Sequence, residues 1–337
     1  MLRILDQLPA QLAALSAPRL GELLAGPTLI RLPGQRPEPL FVSVLLHGNE
    51  TAGWDAVRTL LAGHHGRRLP RALTVLIGNV AAAREGRRHL DGQPDYNRIW
   101  RGSGTPEHEM AARVIEAVRA DGPFAAIDVH NNSGDNPHYA CVNTLDPEAL
   151  ELASMFDRRV VYSTEPDSVL GLAMSRFCPA VTLECGKVGD PRGAEHARAF
   201  LERCLHLEAF PERRVPAGAI ELYRSVARVR VAPWASLDGR APGTGLRLRA
   251  GLERLNFREL APGTVIGELA AGGRLPVEVH AGNGEDLAER YFALRGRSLV
   301  TRRALIPAML TLDARIIRQD CLCYLMERCE PAARAAC

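Results

Sequence analysis

The chain of 337 residues has no long block of one charge sign. Its 42 basic and 39 acidic residues nearly cancel, leaving a formal charge of +3. A protein that neutralises a phosphate backbone needs clustered basic residues, so no nucleic-acid partner is expected. No long apolar run opens the chain either. The first residues, MLRILDQLPAQLAALSAPRLGELL, are interrupted by Asp6, Pro9, Arg19 and Glu22, too early for a signal core or a bilayer span. Neither export nor membrane insertion is expected. The eight cysteines include no Cys-x-x-Cys pair, which removes the usual thiolate zinc or redox motif and leaves reduced thiols in a cytoplasm as the expectation. No internal repeat or low-complexity tract is visible.

What remains is ordinary globular composition, 46% hydrophobic and 24% charged, which argues against disorder and coiled coil. The length suits one large domain plus a smaller one. From Leu40 to about Leu205, short strand-like runs alternate with stretches of helical period, the pattern of an α/β fold with a mostly parallel sheet and flanking helices. The strands expected are 40–46, 73–77, 124–129, 139–143 and 180–183. Helical spacing covers 51–62, 105–120, 146–157 and 193–208, and Thr105-Pro106-Glu107 has the form of an N-cap followed by proline at the first helical position. The segment FPERRVPAGA, 210–219, marks a boundary. We therefore expect a first domain over 1–210, with an N-terminal extension over 1–39, and a β-rich C-terminal domain over 220–337.

Three strand ends carry ionisable residues. The run FVSVLL stops at His47, turns at Gly48 and supplies Glu50 three residues later. FAAIDV runs into His130, then the polar turn Asn131-Asn132-Ser133-Gly134. AVTL ends at Glu184, followed by Cys185 and Gly186. A catalytic metal asks for about three protein nitrogen or oxygen ligands and an open position, and functional crevices in open α/β sheets lie at the carboxyl ends of strands. His47, Glu50 and His130 fit that requirement, and a nearby carboxylate such as Glu184 can move protons. The same residues also fit structural roles: strand-end histidines, and acids at the start of a helix interacting with its dipole.

In this order HGNE, then GN and a basic stretch leading to DYNRIW, then DVH and LECGK resemble the zinc carboxypeptidase superfamily, in its succinylglutamate desuccinylase/aspartoacylase branch. The resemblance covers roughly residues 40–205, and LTLDARIIR at 310–318 resembles the closing strand of aspartoacylases. It implies a zinc-carboxypeptidase-like sheet and one zinc ion per chain, held by His47, Glu50 and His130, with Glu184 as general base and acid. It further implies Arg88 at the developing oxyanion, with Arg84 and Arg87 close enough in sequence to compete for that place. Asn97 and Arg98 would grip a substrate carboxylate, and Tyr291 would close the site from the second domain. Asp95 and Asp128 are both candidates to orient a metal-bound histidine. The turn after His130 departs from the threonine-containing turn usual in this branch and is expected to affect acyl specificity.

The expected activity is zinc-dependent removal of an acyl group from an N-acyl amino acid, a small carboxylate-bearing amide. The alternatives are a metallocarboxypeptidase acting on a short peptide and, from another class, a zinc-containing binding protein without turnover. Cobalt or manganese could occupy the same ligands, and a homodimer is compatible with the family.

Overall fold

The structure, a computed structural model, describes residues 1–211, 215–216, 218–238 and 243–329. The boundary segment 210–219 falls partly outside this set. Among the described residues the chain divides into two compact units, the first comprising Met1–Asn131 and 138–222, the second Asn132–Pro137 and 223–329.

The first unit is built from β1 (Arg3–Leu5), β2 (Thr28–Leu32), β3 (Gly34–Val44), α1 (Ala52–Gly63), β4 (Leu69–Ile77), α2 (Val80–Arg84), α3 (Pro106–Ala120), β5 (Ala125–Asn132), β6 (Tyr139–Val142), α4 (Pro147–Phe156), β7 (Arg159–Tyr162), α5 (Leu170–Met174), β8 (Ala180–Lys187) and α6 (Pro191–His206). Its strands lie in the order β1-β2-β4-β3-β5-β8-β6-β7. β3 runs parallel to both β4 and β5, whereas β2 with β4 and β6 with β8 are antiparallel. β5 and β8 run the same way, because Ala126 N–H donates to Pro179 at one end and the Asn131 side chain reaches Gly186 at the other. The expected α/β class is what the structure shows. Central strands covered on both faces read as continuous apolar runs, and Leu40, Phe41, Val42 and Val44 of β3 are all fully buried.

The helices follow their local signals. Thr105 caps α3, its side chain accepting from His108 N–H, with Pro106 at the first helical position. α1 buries Trp54, Val57 and Leu60, and the Trp54 indole N–H donates to Leu15 O at 2.8 Å, so the largest buried side chain leaves no donor unpaired. Residues 1–39, expected only as an extension, supply β1, β2 and the start of β3.

The second unit contains β9 (Glu221–Val231), β10 (Leu246–Leu248), β11 (Val265–Leu269), β12 (Val277–His280), α7 (Ala288–Tyr291), β13 (Phe292–Arg295), β14 (Ser298–Thr301), β15 (Ile306–Ala308), α8 (Ala314–Gln319) and β16 (Cys323–Arg328). β9 pairs antiparallel with β16 and β12, and β10-β11-β14-β13 form a smaller antiparallel sheet. This is the β-rich C-terminal part expected.

Two expectations are corrected here. Residues 310–318 do not form a closing strand. Asp313 accepts from Arg315 N–H and Ile316 N–H and so caps α8, because a short acid before a helical run favours the helix start over an extended ladder. The strand that follows, β16, pairs with β9 instead. Nor are all thiols free: Cys141, Cys178, Cys185, Cys204, Cys321 and Cys323 are unbridged, but Cys329 is disulfide-bonded. Bridging depends on the approach of two Cβ atoms in space, which motif spacing does not reveal. Among the described residues no helix is long and apolar enough to cross a membrane.

Candidate functional site

β3 ends earlier than its apolar run suggests. Leu45, buried, takes φ 59°, a left-handed conformation unusual for a non-glycine residue. It is held there by Gly78 N–H donating to Val44 O at 3.0 Å and Asn79 N–H donating to Leu45 O at 2.7 Å. The chain leaves the sheet at this point, so His47 lies on a tight turn closed by Glu50 N–H donating to His47 O at 3.1 Å. Gly48 is required by packing: a Cβ there would stand 2.2 Å from Ala83 N and 2.3 Å from Ala82 C.

Three neighbouring strands then bring the ionisable groups together. His47 and Glu50 follow β3, His130 lies in β5, and Glu184 lies in β8, opposite Tyr139 of β6. His47 Nδ1 is 2.8 Å from Glu50 Oε1, and His130 Nδ1 is 2.7 Å from Glu50 Oε2. One ligand atom from each residue lies within 4.8 Å of the others, and all three residues are buried. The two rings meet edge to face, with centroids 4.9 Å apart.

The far side of each imidazole is braced by its own aspartate. His47 Nε2 is 2.9 Å from Asp95 Oδ1, and His130 Nε2 is 2.8 Å from Asp128 Oδ2. Where the sequence left open which aspartate orients a histidine, the structure uses both. Asp128 and His130 are two residues apart on one strand, hence on one face. Asp95 comes from the DYNRIW turn, which Tyr96, Ile99 and Trp100 anchor in the apolar core. With both Nε2 atoms committed to carboxylates, both Nδ1 atoms and Glu50 face one point. Two imidazoles and a carboxylate, each histidine backed by an acid, is the donor set that suits a divalent metal with an open coordination side.

The electrostatics follow from burial. Burial disfavours the charge of Glu50, but His47 and His130 outweigh it and hold the carboxyl well below its ordinary range. Burial likewise opposes charge on Asp95, yet His47 and Arg88 keep it well below normal. His130 loses solvation but gains more from Asp128 and Glu50, so its proton affinity stands well above that of a free imidazole. Glu184 goes the other way. Burial, with Glu50 and Asp128 adding to it against His130 and Arg88, pushes its carboxyl up to about 8. Neighbouring carboxylates with opposite shifts are a signature of divided acid–base roles.

Arg88 belongs to this cluster, with Nη2 3.0 Å from Asp95 Oδ2 and Nη1 3.5 Å from Glu50 Oε1. Arg84 is exposed, and Arg87 pairs at the surface with Glu85 and Asp91. Asn97 is buried, its Oδ1 accepting from Leu170 N–H at 3.1 Å and its Nδ2 3.4 Å from His130 Nε2. Arg98 donates to Asn97 O and contributes to holding Asp95 ionised. Tyr291 lies in the apolar core of the second unit, 3% exposed, with Arg290 and Arg303 against its ring. The turn expected directly after His130 begins later, because β5 continues through Asn132; residues 132–137 group with the second unit, where Asn136 Oδ1 accepts from Met309 N–H. Asn131, expected only as part of the turn that bears on acyl specificity, has bonds the sequence did not reveal: its side chain accepts from Ala52 N–H at the start of α1 and donates to Gly186 O on β8, and its place directly after His130, on the opposite face of β5, was the available signal.

Fold and site together define a class: a mixed α/β protein with a buried His-Glu-His centre at the ends of its central strands. Residues 39–210 match the succinylglutamate desuccinylase/aspartoacylase catalytic domain, and the chain belongs to that family. The family expected from HGNE, DYNR, DVH and LECGK is thereby borne out. Among solved structures, the chain is similar to the succinylglutamate desuccinylase of Chromobacterium violaceum, at 20% identity over 88% of this chain and 86% of that one, with a TM-score of 0.56. It is similar to murine aminoacylase 3 at 18% identity, over 88% and 96%, with a TM-score of 0.59. The succinylglutamate desuccinylase/aspartoacylase of Rhodobacter sphaeroides gives 16% identity, 89% and 88%, and 0.58. At these identities the likeness carries the fold. No curated protein sequence matches the chain.

Proposed function

We propose that this protein is a zinc-dependent amidohydrolase that removes the acyl group from an N-acyl amino acid. The observation that carries the proposal is the buried convergence of His47 Nδ1, Glu50 and His130 Nδ1 beside Glu184. In this reading His47, Glu50 and His130 hold the ion. When bound, the ion supplies Lewis acidity to a water and to the scissile carbonyl, and its charge draws the proton affinity of Glu184 back down.

Glu184 takes a proton from the attacking water and later delivers it to the leaving nitrogen. The carbonyl carbon gains a bond to the water oxygen and loses its bond to nitrogen, giving a carboxylic acid and a free amine. Arg88 keeps its guanidinium beside Glu50 and stabilises the carbonyl oxygen as negative charge develops there. Arg98, with its planar fork, and Asn97 bind the carboxylate of the amino-acid part, which fixes the amide within reach of the centre.

The test is hydrolysis of a panel of N-acetyl amino acids, N-succinyl amino acids and dipeptides by metal-quantified protein beside His47→Ala. The expected result is cleavage of an N-acyl amino acid that the variant loses. Cleavage of dipeptides alone would replace the deacylase by a carboxypeptidase. Zinc at about one per chain with nothing cleaved would refute the enzymatic reading in favour of a binding protein.

A further inference from the structure

We propose that Asn131 is a positioning residue that locks the segment bearing Glu50, the strand bearing His130 and the strand bearing Glu184 into one frame. The inference rests on the roles given to those residues above.

Asn131 sits one residue beyond His130, so its side chain leaves the opposite face of β5. On that face lies the start of α1, so close that a Cβ on Gly53 would stand 3.0 Å from Val129 Cβ. The N-cap residue Thr51 makes no side-chain capping bond, which leaves the first N–H groups of the helix in need of acceptors. Asn131 supplies one across the sheet: its Oδ1 accepts from Ala52 N–H at 3.1 Å. Its Nδ2 donates to Gly186 O at 3.2 Å, just beyond Glu184 on β8. Its backbone N–H donates to Glu50 Oε2 at 3.2 Å. One residue, 5% exposed, thus touches a candidate ligand and the chain beside the candidate base.

The chemistry asks for asparagine. The position needs an acceptor and a donor on one short stem. Aspartate keeps an oxygen for Ala52 N–H but turns a second oxygen towards the Gly186 carbonyl. Alanine leaves both buried backbone groups without these partners. Asn131 touches no reacting atom in this scheme; it acts by setting the distance between Glu184 and the trio.

The experiment uses the full chain, as parent, Asn131→Ala, Asn131→Asp and Asn143→Ala. Asn143 supplies a control, since its side chain donates to Ser163 O at 2.7 Å, just beyond the ends of β6 and β7. The readouts are kcat and KM on the cleaved N-acyl amino acid, zinc affinity by chelator competition, and the thermal midpoint. For Asn131→Ala we expect kcat about 10–100-fold lower, KM within about threefold, and zinc affinity about tenfold weaker. Asn143→Ala should lower the midpoint without these losses. Asn131→Asp, the variant to rely on if alanine does not fold, is read by kcat, because its added charge itself favours a cation. Values for both Asn131 variants within about twofold of the parent, or equal losses in Asn143→Ala, overturn the proposal. Should the parent cleave nothing, the functional reading fails, while the zinc affinity of Asn131→Ala still decides the positioning role.

Discussion

Replacing Glu184 with glutamine should make the metal-free protein more stable near neutral pH while removing its activity. The carboxyl stands at about 8 in the fold against an ordinary 4.5. Between those values the folded protein keeps a proton that the unfolded chain has released, so stability falls as pH rises from 4.5 to about 8. At pH 7 the carboxyl is held protonated about 2.5 pH units above its ordinary value, which at about 1.4 kcal/mol per unit is a cost of about 3 kcal/mol. Glutamine is a neutral isostere without that linkage. The variant should therefore exceed the parent by about 3 kcal/mol at pH 7 and converge with it near pH 4. For a unit of this size that is roughly 6–12 °C in the unfolding midpoint. Scanning calorimetry in chelator at several pH values from 4 to 8 reads it directly, since all other titrating groups are common to both proteins. A difference that is independent of pH, or a variant less stable than the parent at pH 7, refutes the argument. With metal restored, the same variant should bind zinc and lose about 10²–10⁴-fold in kcat.

Other outcomes follow from the same network. His130 holds its proton well above the ordinary range because Asp128 and Glu50 flank it, so zinc uptake at pH 7 should release about one proton per ion or more, measurable by calorimetry in buffers of different ionisation enthalpy. Uptake without proton release would contradict Nδ1 ligation. Asp95→Asn exchanges the carboxylate that faces both His47 Nε2 and Arg88 for a neutral amide and should weaken zinc binding about 10–100-fold; chelator competition checks it. Gly48→Ala drives a methyl into the backbone of Ala82 and Ala83 and should cost about 3 kcal/mol or more in denaturant unfolding, with loss of the metal centre. Arg98→Lys keeps charge but not the fork, and should raise KM for carboxylate-bearing substrates by about tenfold with kcat less affected.

Local physical chemistry, read along the chain, determined a great deal. The cap and proline of α3, the apolar runs of β3, β5 and β8, and the coincidence of histidine or glutamate with three strand ends were all present before any fold was known. They were legible because caps, periodicity and buried strands depend on residues adjacent in sequence. Partnership was not legible. The sheet that takes in residues 1–39, the break at Leu45 and the pairing of Asp95 with His47 rest on register and packing between distant segments. The same holds for Glu184, whose raised proton affinity comes from burial beside Glu50 and Asp128. A sequence fixes which groups are available, but a buried charge takes its energy from whatever the fold brings within a few ångströms of it.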